Sequence, residues 1–140
     1  MNEHLPRTLA RALADAAVPG IVSAYLFGSH ASGRAHRESD IDVGVLFARD
    51  VHPARESRFE ARIRLSGALE AALRSGRVDV VVLNDVPPTL GRHVVTDGQR
   101  VLCVDAASDH AYVRDVQLRA ADLEPFLRRM RRLKLEAIAR

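Results

Sequence analysis

The chain has 140 residues, enough for one ordinary hydrophobic core and with little room for a second. Its 47% hydrophobic and 28% charged content fits a globular protein and argues against disorder, and the lack of Trp with only 4% aromatic residues argues against a base-stacking nucleic-acid platform. The formal charge of +3 is uneven: residues 112–140 carry eight basic and four acidic side chains, net +4, so the preceding 111 residues are net −1 and any attraction to an acidic partner lies at the C-terminal end.

Apolar spacing predicts a first helix over Leu5–Val18, with Leu5, Leu9, Leu13 and Ala16/Ala17 on one side and Pro19-Gly20 as its stop. Ile21–Phe27 reads as a buried strand closed by Gly28. Residues 29–39 are short and polar and predict a turn or a brief helix, after which Asp40–Phe47 returns to strand character. Pro53 suits the first turn of a helix running to about Ser75 and ended by Gly76, with Phe59, Ile63, Leu69 and Leu73 supplying most of its apolar face. Val78–Leu83 is the strongest strand signal of the chain. Pro87-Pro88 opens a short helix to about Thr96, and Asp97-Gly98 turns into a strand over Gln99–Val104. From Ala106 the pattern is helical and predicts a break near Pro125. Beyond it Phe126, Met130, Leu133 and Ala137 form a second stripe, with Arg128, Arg129, Arg131, Arg132 and Lys134 on the other sides. The expectation is a single α/β domain over residues 1–140, with its core over about 21–104 and a helical tail over about 106–140.

No apolar run approaches the roughly 18 residues of a membrane span. The start, Met1-Asn2-Glu3-His4, lacks a secretory pattern. Cys103 is the single cysteine, so it makes no internal disulfide or thiolate zinc site and reads as a small core residue. The six histidines show no ligand spacing. A cytoplasmic protein is the simplest expectation.

The chemistry concentrates in one stretch. Gly28-Ser29 follows a buried strand, where a bare backbone lets a phosphate approach and the Ser29 hydroxyl can donate to it. Asp40 and Asp42 lie two apart on the next strand, so both side chains leave one face. Adjacent carboxylates repel unless a cation lies between them, and rigid hard-oxygen ligands suit Mg²⁺ held together with substrate phosphates. Asp79 is the one acid of an otherwise apolar strand, where a buried carboxylate is costly unless paired or metal-bound. Each feature has a plainer reading: a solvated Asp-x-Asp face, an ordinary Gly-Ser turn, and Arg77 as the ion-pair partner of Asp79. His30 and His36 lie in the motif loop as weaker phosphate-contact candidates.

The combination of Gly28-Ser29, ten intervening residues, Asp40-Ile41-Asp42 and a third acid on a later strand resembles the polymerase-beta-type nucleotidyltransferase superfamily. Within it the chain is most similar to the minimal nucleotidyltransferases (MNT), above all the antitoxin members of HEPN/MNT toxin–antitoxin pairs. Ser32 stands where many members carry Arg before the glycine. The resemblance implies a nucleotidyltransferase fold, a mixed sheet of about four strands flanked by helices. It also implies transfer of AMP from ATP to a hydroxyl, a tyrosine of a partner HEPN toxin. Asp40, Asp42 and Asp79 would be catalytic residues and ligands of two Mg²⁺ ions, with Asp79 also the base. Gly28, Ser29, Arg34 and Ser39 would bind the nucleotide. Toxins of such pairs carry Arg-x(4–6)-His, which no histidine of this chain completes. Two alternatives stay open: a small-molecule, antibiotic-type nucleotidyltransferase, and an antitoxin that acts by binding alone.

Overall fold

In the computed structural model, residues 4–32, 40–74 and 77–139 are described, with the backbone alone at Ser32. Helix α1 (Leu5–Asp15) accepts Pro6 in its first turn, where a missing N–H costs nothing, and buries Leu5, Leu9, Ala12 and Leu13. It ends earlier than the apolar spacing suggests, because Ala17 and Gly20 take left-handed φ values of 54° and 84° and turn the chain into β1. Gly20 has no alternative there, since a Cβ would stand 2.8 Å from Val51 Cβ.

Strands β1 (Ile21–Phe27), β2 (Ile41–Phe47), β3 (Val78–Val82) and β4 (Gln99–Cys103) form one sheet in the order β3-β2-β1-β4. β1 pairs antiparallel with both β2 and β4, while β2 and β3 run parallel, which makes the sheet mixed. The central strands are apolar on both sides because both faces of the sheet are covered. On one face Leu26, Val43, Val45, Phe47 and Val80 pack with Leu9 and Leu13 of α1 and with Leu65 and Leu69 of α3 (Arg55–Leu73). Each fully buried leucine there contributes on the order of 1.5–3 kcal/mol. On the other face Val22, Tyr25, Leu46 and Leu83 meet Val94 of α4 (Pro88–Asp97), with Tyr112 of α5 (Ala106–Ala139) against them.

Several expectations are corrected by packing. The inward face of α3 is Arg58, Ala61, Leu65 and Leu69, whereas Phe59 and Ile63 are more than half exposed. Arg58 is buried because its guanidinium is matched: Nε and Nη2 donate to the two Asp85 carboxylate oxygens at 3.0 and 2.8 Å, and Nη1 donates to His52 O at 3.0 Å. The helix begins at Arg55, two residues after Pro53, and Arg74 in left-handed conformation follows its last residue; Gly76 lies outside the described residues. β3 ends at Val82, and Leu83–Asp85 forms a single 3-10 turn. Cys103 is exposed, not a core residue, because β4 is an edge strand and Cys103 ends it.

Helix α5 runs unbroken through Pro125. A proline inside a helix removes one hydrogen bond and costs about 3 kcal/mol, a local loss within a helix of 34 residues. Its first turns are fixed to the sheet by the buried Asp109. That carboxylate accepts hydrogen bonds from Tyr25 Oη at 2.7 Å and Arg100 Nη1 at 3.0 Å. Burial alone would raise the Asp109 carboxyl, but the Ser23, Tyr25 and Arg100 side chains together hold it below the usual range. α4 approaches α5 closely at Gly91, where a Cβ would stand 2.7 Å from Val116 Cγ2.

Candidate active site

The acidic end of the sheet is built by register. β2 and β3 start side by side, tied by Ile41 N–H donating to Arg77 O at 3.1 Å. Asp42 and Asp79 are direct partners in this parallel pair, so their side chains leave the same face of neighbouring strands, about 4.8 Å apart. On the other side Asp42 pairs with Phe27, the last residue of β1, which brings Gly28 alongside. Gly28 has φ +76°, and a Cβ built on it would overlap Asp42 Oδ2. Glycine is therefore required twice, for the turn and for the approach to the carboxylate. α2 (Ser29–Ser32) starts at the next residue, with Ser29 and His30 half-buried.

Asp40 immediately precedes β2 and is exposed, so it flanks the strand instead of belonging to it. Asp79 is also exposed, which corrects the expectation of a buried lone carboxylate. The reason is topological: β3 is an edge strand, and its face toward Asp42 opens to solvent. The partly buried acid is Asp42. Burial pushes its carboxyl above the usual range, the charges of Asp79 and Asp40 push it further, and His30 opposes them. His30, a weak candidate by sequence, is thus within electrostatic reach of the central acid.

The structure accordingly brings together Gly28, Ser29, His30, Asp40, Asp42 and Asp79. Arg34 and Ser39, expected at the nucleotide, lie outside the described residues, as does His36. Gly98 was legible only as a turn, yet it supports the site from behind: a Cβ there would stand 2.9 Å from Leu26 O and 3.2 Å from Phe27 Cβ, directly before the Gly28 turn. A cavity of 660 Å³ lies at the opposite end of the sheet, lined by residues such as Leu46, Ala48, Asn84 and Tyr112, and none of Asp40, Asp42 and Asp79 lines it. Among the described residues no three His, Cys, Asp or Glu side chains are already drawn together as a ligand set.

A bare-backbone turn beside two register-paired carboxylates on a mixed four-stranded sheet is an arrangement suited to a nucleotidyltransferase. The family model "Polymerase beta, Nucleotidyltransferase" matches residues 11–107, and the chain belongs to this family. Protein adenylyltransferase MntA of Shewanella oneidensis is 36% identical over 84 residues, 60% of this chain and 55% of MntA, so the match spans about half of that relative. A chain crystallised in a toxin–antitoxin complex with AMP-PNP superimposes with a TM-score of 0.67 at 27% identity, covering 96% of this chain and 98% of that one. A minimal nucleotidyltransferase superimposes at 0.55 with 31% identity over 69% of this chain and 91% of its own. No helix among the described residues is long and apolar enough to cross a membrane.

Proposed function

We propose that this chain is an antitoxin-type protein adenylyltransferase, a single domain acting in the cytoplasm, that moves AMP from ATP to a tyrosine hydroxyl of a partner HEPN toxin. The observation that carries this reading is the register pairing of Asp42 with Asp79 beside the bare backbone of Gly28. The relative named an adenylyltransferase and the complex holding an ATP analogue support it.

The donor set fits Mg²⁺. The carboxylates of Asp79 and Asp40 repel that of the half-buried Asp42, which a hard divalent cation would relieve. Asp40, Asp42 and Asp79 would hold two such ions, which supply charge neutralisation on the triphosphate and at the attacking oxygen. The chain's own groups do the rest. Gly28 and Ser29 receive the β- and γ-phosphates against backbone, and Arg34 and Ser39 are further contacts to the nucleotide. This holds the α-phosphorus in line with the acceptor. The acceptor oxygen bonds to that phosphorus, the bond to the pyrophosphate oxygen breaks, and the acceptor proton goes to the Asp79 carboxylate at the open edge of β3. A phenol, with pKa about 10, gives up its proton more readily than an aliphatic alcohol, which suits a carboxylate as the acceptor.

Asp79→Asn tests the reading. It should keep ATP and toxin binding and lose about 10²–10⁴ in transfer rate, and toxin neutralisation should fall with it. Neutralisation at wild-type strength without labelling would mean that occlusion is the mechanism and that modification is not.

A further inference from the structure

The family match ends at residue 107, yet helix α5 continues to Ala139. Its first turns are buried against α4 and the sheet at Asp109, Val116 and Ala120. From Leu123 to Ala139 none of its side chains is buried: Phe126, Met130 and Leu133 are 53%, 50% and 50% exposed. This segment extends about 25 Å at 1.5 Å per residue. Leu123, Phe126, Met130, Leu133 and Ala137 follow the alternating three- and four-residue spacing of a helix–helix seam, which an isolated solvated helix has no need of.

Three observations say what covers it. First, Arg128, Arg129, Arg131, Arg132 and Lys134 surround the seam against Glu124 and Glu136, and Arg128 already engages Glu124 at 2.8 Å. The complementary face is acidic. Second, a second copy in parallel register would set Arg129 of one copy, which flanks the seam, against Lys134 of the other, a like-charge contact. Third, the chain from the toxin–antitoxin complex matches 96% of this one, leaving about six residues out, so most of α5 is shared with a protein crystallised beside a toxin.

We propose that residues 123–139 of α5 are the docking surface for the HEPN toxin, and that they meet a helical face apolar along its centre and acidic at its margins. This rests on the antitoxin reading above. It separates the molecule into a catalytic sheet and a targeting helix, and it makes toxin choice a property of α5.

The test uses the full chain with the HEPN-type toxin that the antitoxin reading assigns to it. Titration calorimetry should give tight binding for wild type and a loss of about 100-fold or more for the Phe126→Glu/Met130→Glu double variant, with ATP binding and far-UV circular dichroism unchanged. Hydrogen exchange on the wild-type complex should protect residues 123–139. Wild-type affinity in the double variant, or no protection there, overturns the docking surface while leaving the adenylyltransferase reading intact. A wild-type chain that alone is a dimer, made monomeric by the double variant, overturns it in favour of self-association. A wild-type chain that neither binds nor labels the toxin overturns both.

Discussion

Asp42→Asn probes the centre of the site because it removes charge and keeps shape. In the folded protein the Asp42 carboxyl is pushed up first by burial and then by Asp79 and Asp40, so its ionised form is disfavoured. Two carboxylates about 5 Å apart repel by about 3 kcal/mol at an effective dielectric of 20. Asp79 and Asp40 face solvent, so screening reduces this to roughly 0.5–1 kcal/mol. The variant, kept free of metal with a chelator at pH 7, should therefore melt roughly 2–4 °C higher than wild type. The pH dependence has a definite sign. A carboxyl raised above its unfolded value near 3.9 opposes folding once ionised, so wild type loses stability as pH rises from the unfolded value through the raised folded one. The difference between variant and wild type should grow over that window and then level off. Adding Mg²⁺ with ATP should stabilise wild type and leave the variant nearly unmoved, and transfer of labelled AMP should vanish. A lower metal-free melting temperature in the variant would refute the electrostatic account. Retained Mg²⁺-dependent transfer would refute the metal assignment.

Gly28→Ala should abolish transfer and cost at least about 1 kcal/mol, since it meets both a positive φ and the Asp42 carboxylate; denaturant unfolding and the labelling assay check it. Asp109→Ala should destabilise by about 3 kcal/mol, because Tyr25 and Arg100 lose their shared acceptor. In wild type the lowered Asp109 carboxyl adds stability above its unfolded value, which is lost as pH falls through the lowered one, and acid titrations of the two proteins should diverge there. ATP should be preferred over CTP and UTP in the labelling assay, and a clear pyrimidine preference would contradict the adenylyltransferase assignment.

The identity of the elements was legible because each carries its own period: β1 coincides with the apolar run from Ile21 to Phe27, and α4 opens at the proline pair. The Gly28-Ser29 and Asp40-x-Asp42 spacing was likewise local, a strand, a turn and a strand in succession. What sequence could not assign was burial, which depends on neighbours distant in the chain. Phe59 and Ile63 are as apolar as Leu65 and Leu69, but the sheet meets only the face that carries the small Ala61 and the Asp85-paired Arg58. Cys103 and Asp79 are exposed because β4 and β3 fall at the two edges of the sheet, and strand order is decided by pairing, not by the residues of either strand. The sequence by itself therefore determined which residues form the turn and supply the acids. Only the tertiary structure decided that Asp42 and Asp79 lie opposite one another, because a parallel register joins strands separated by a whole helix.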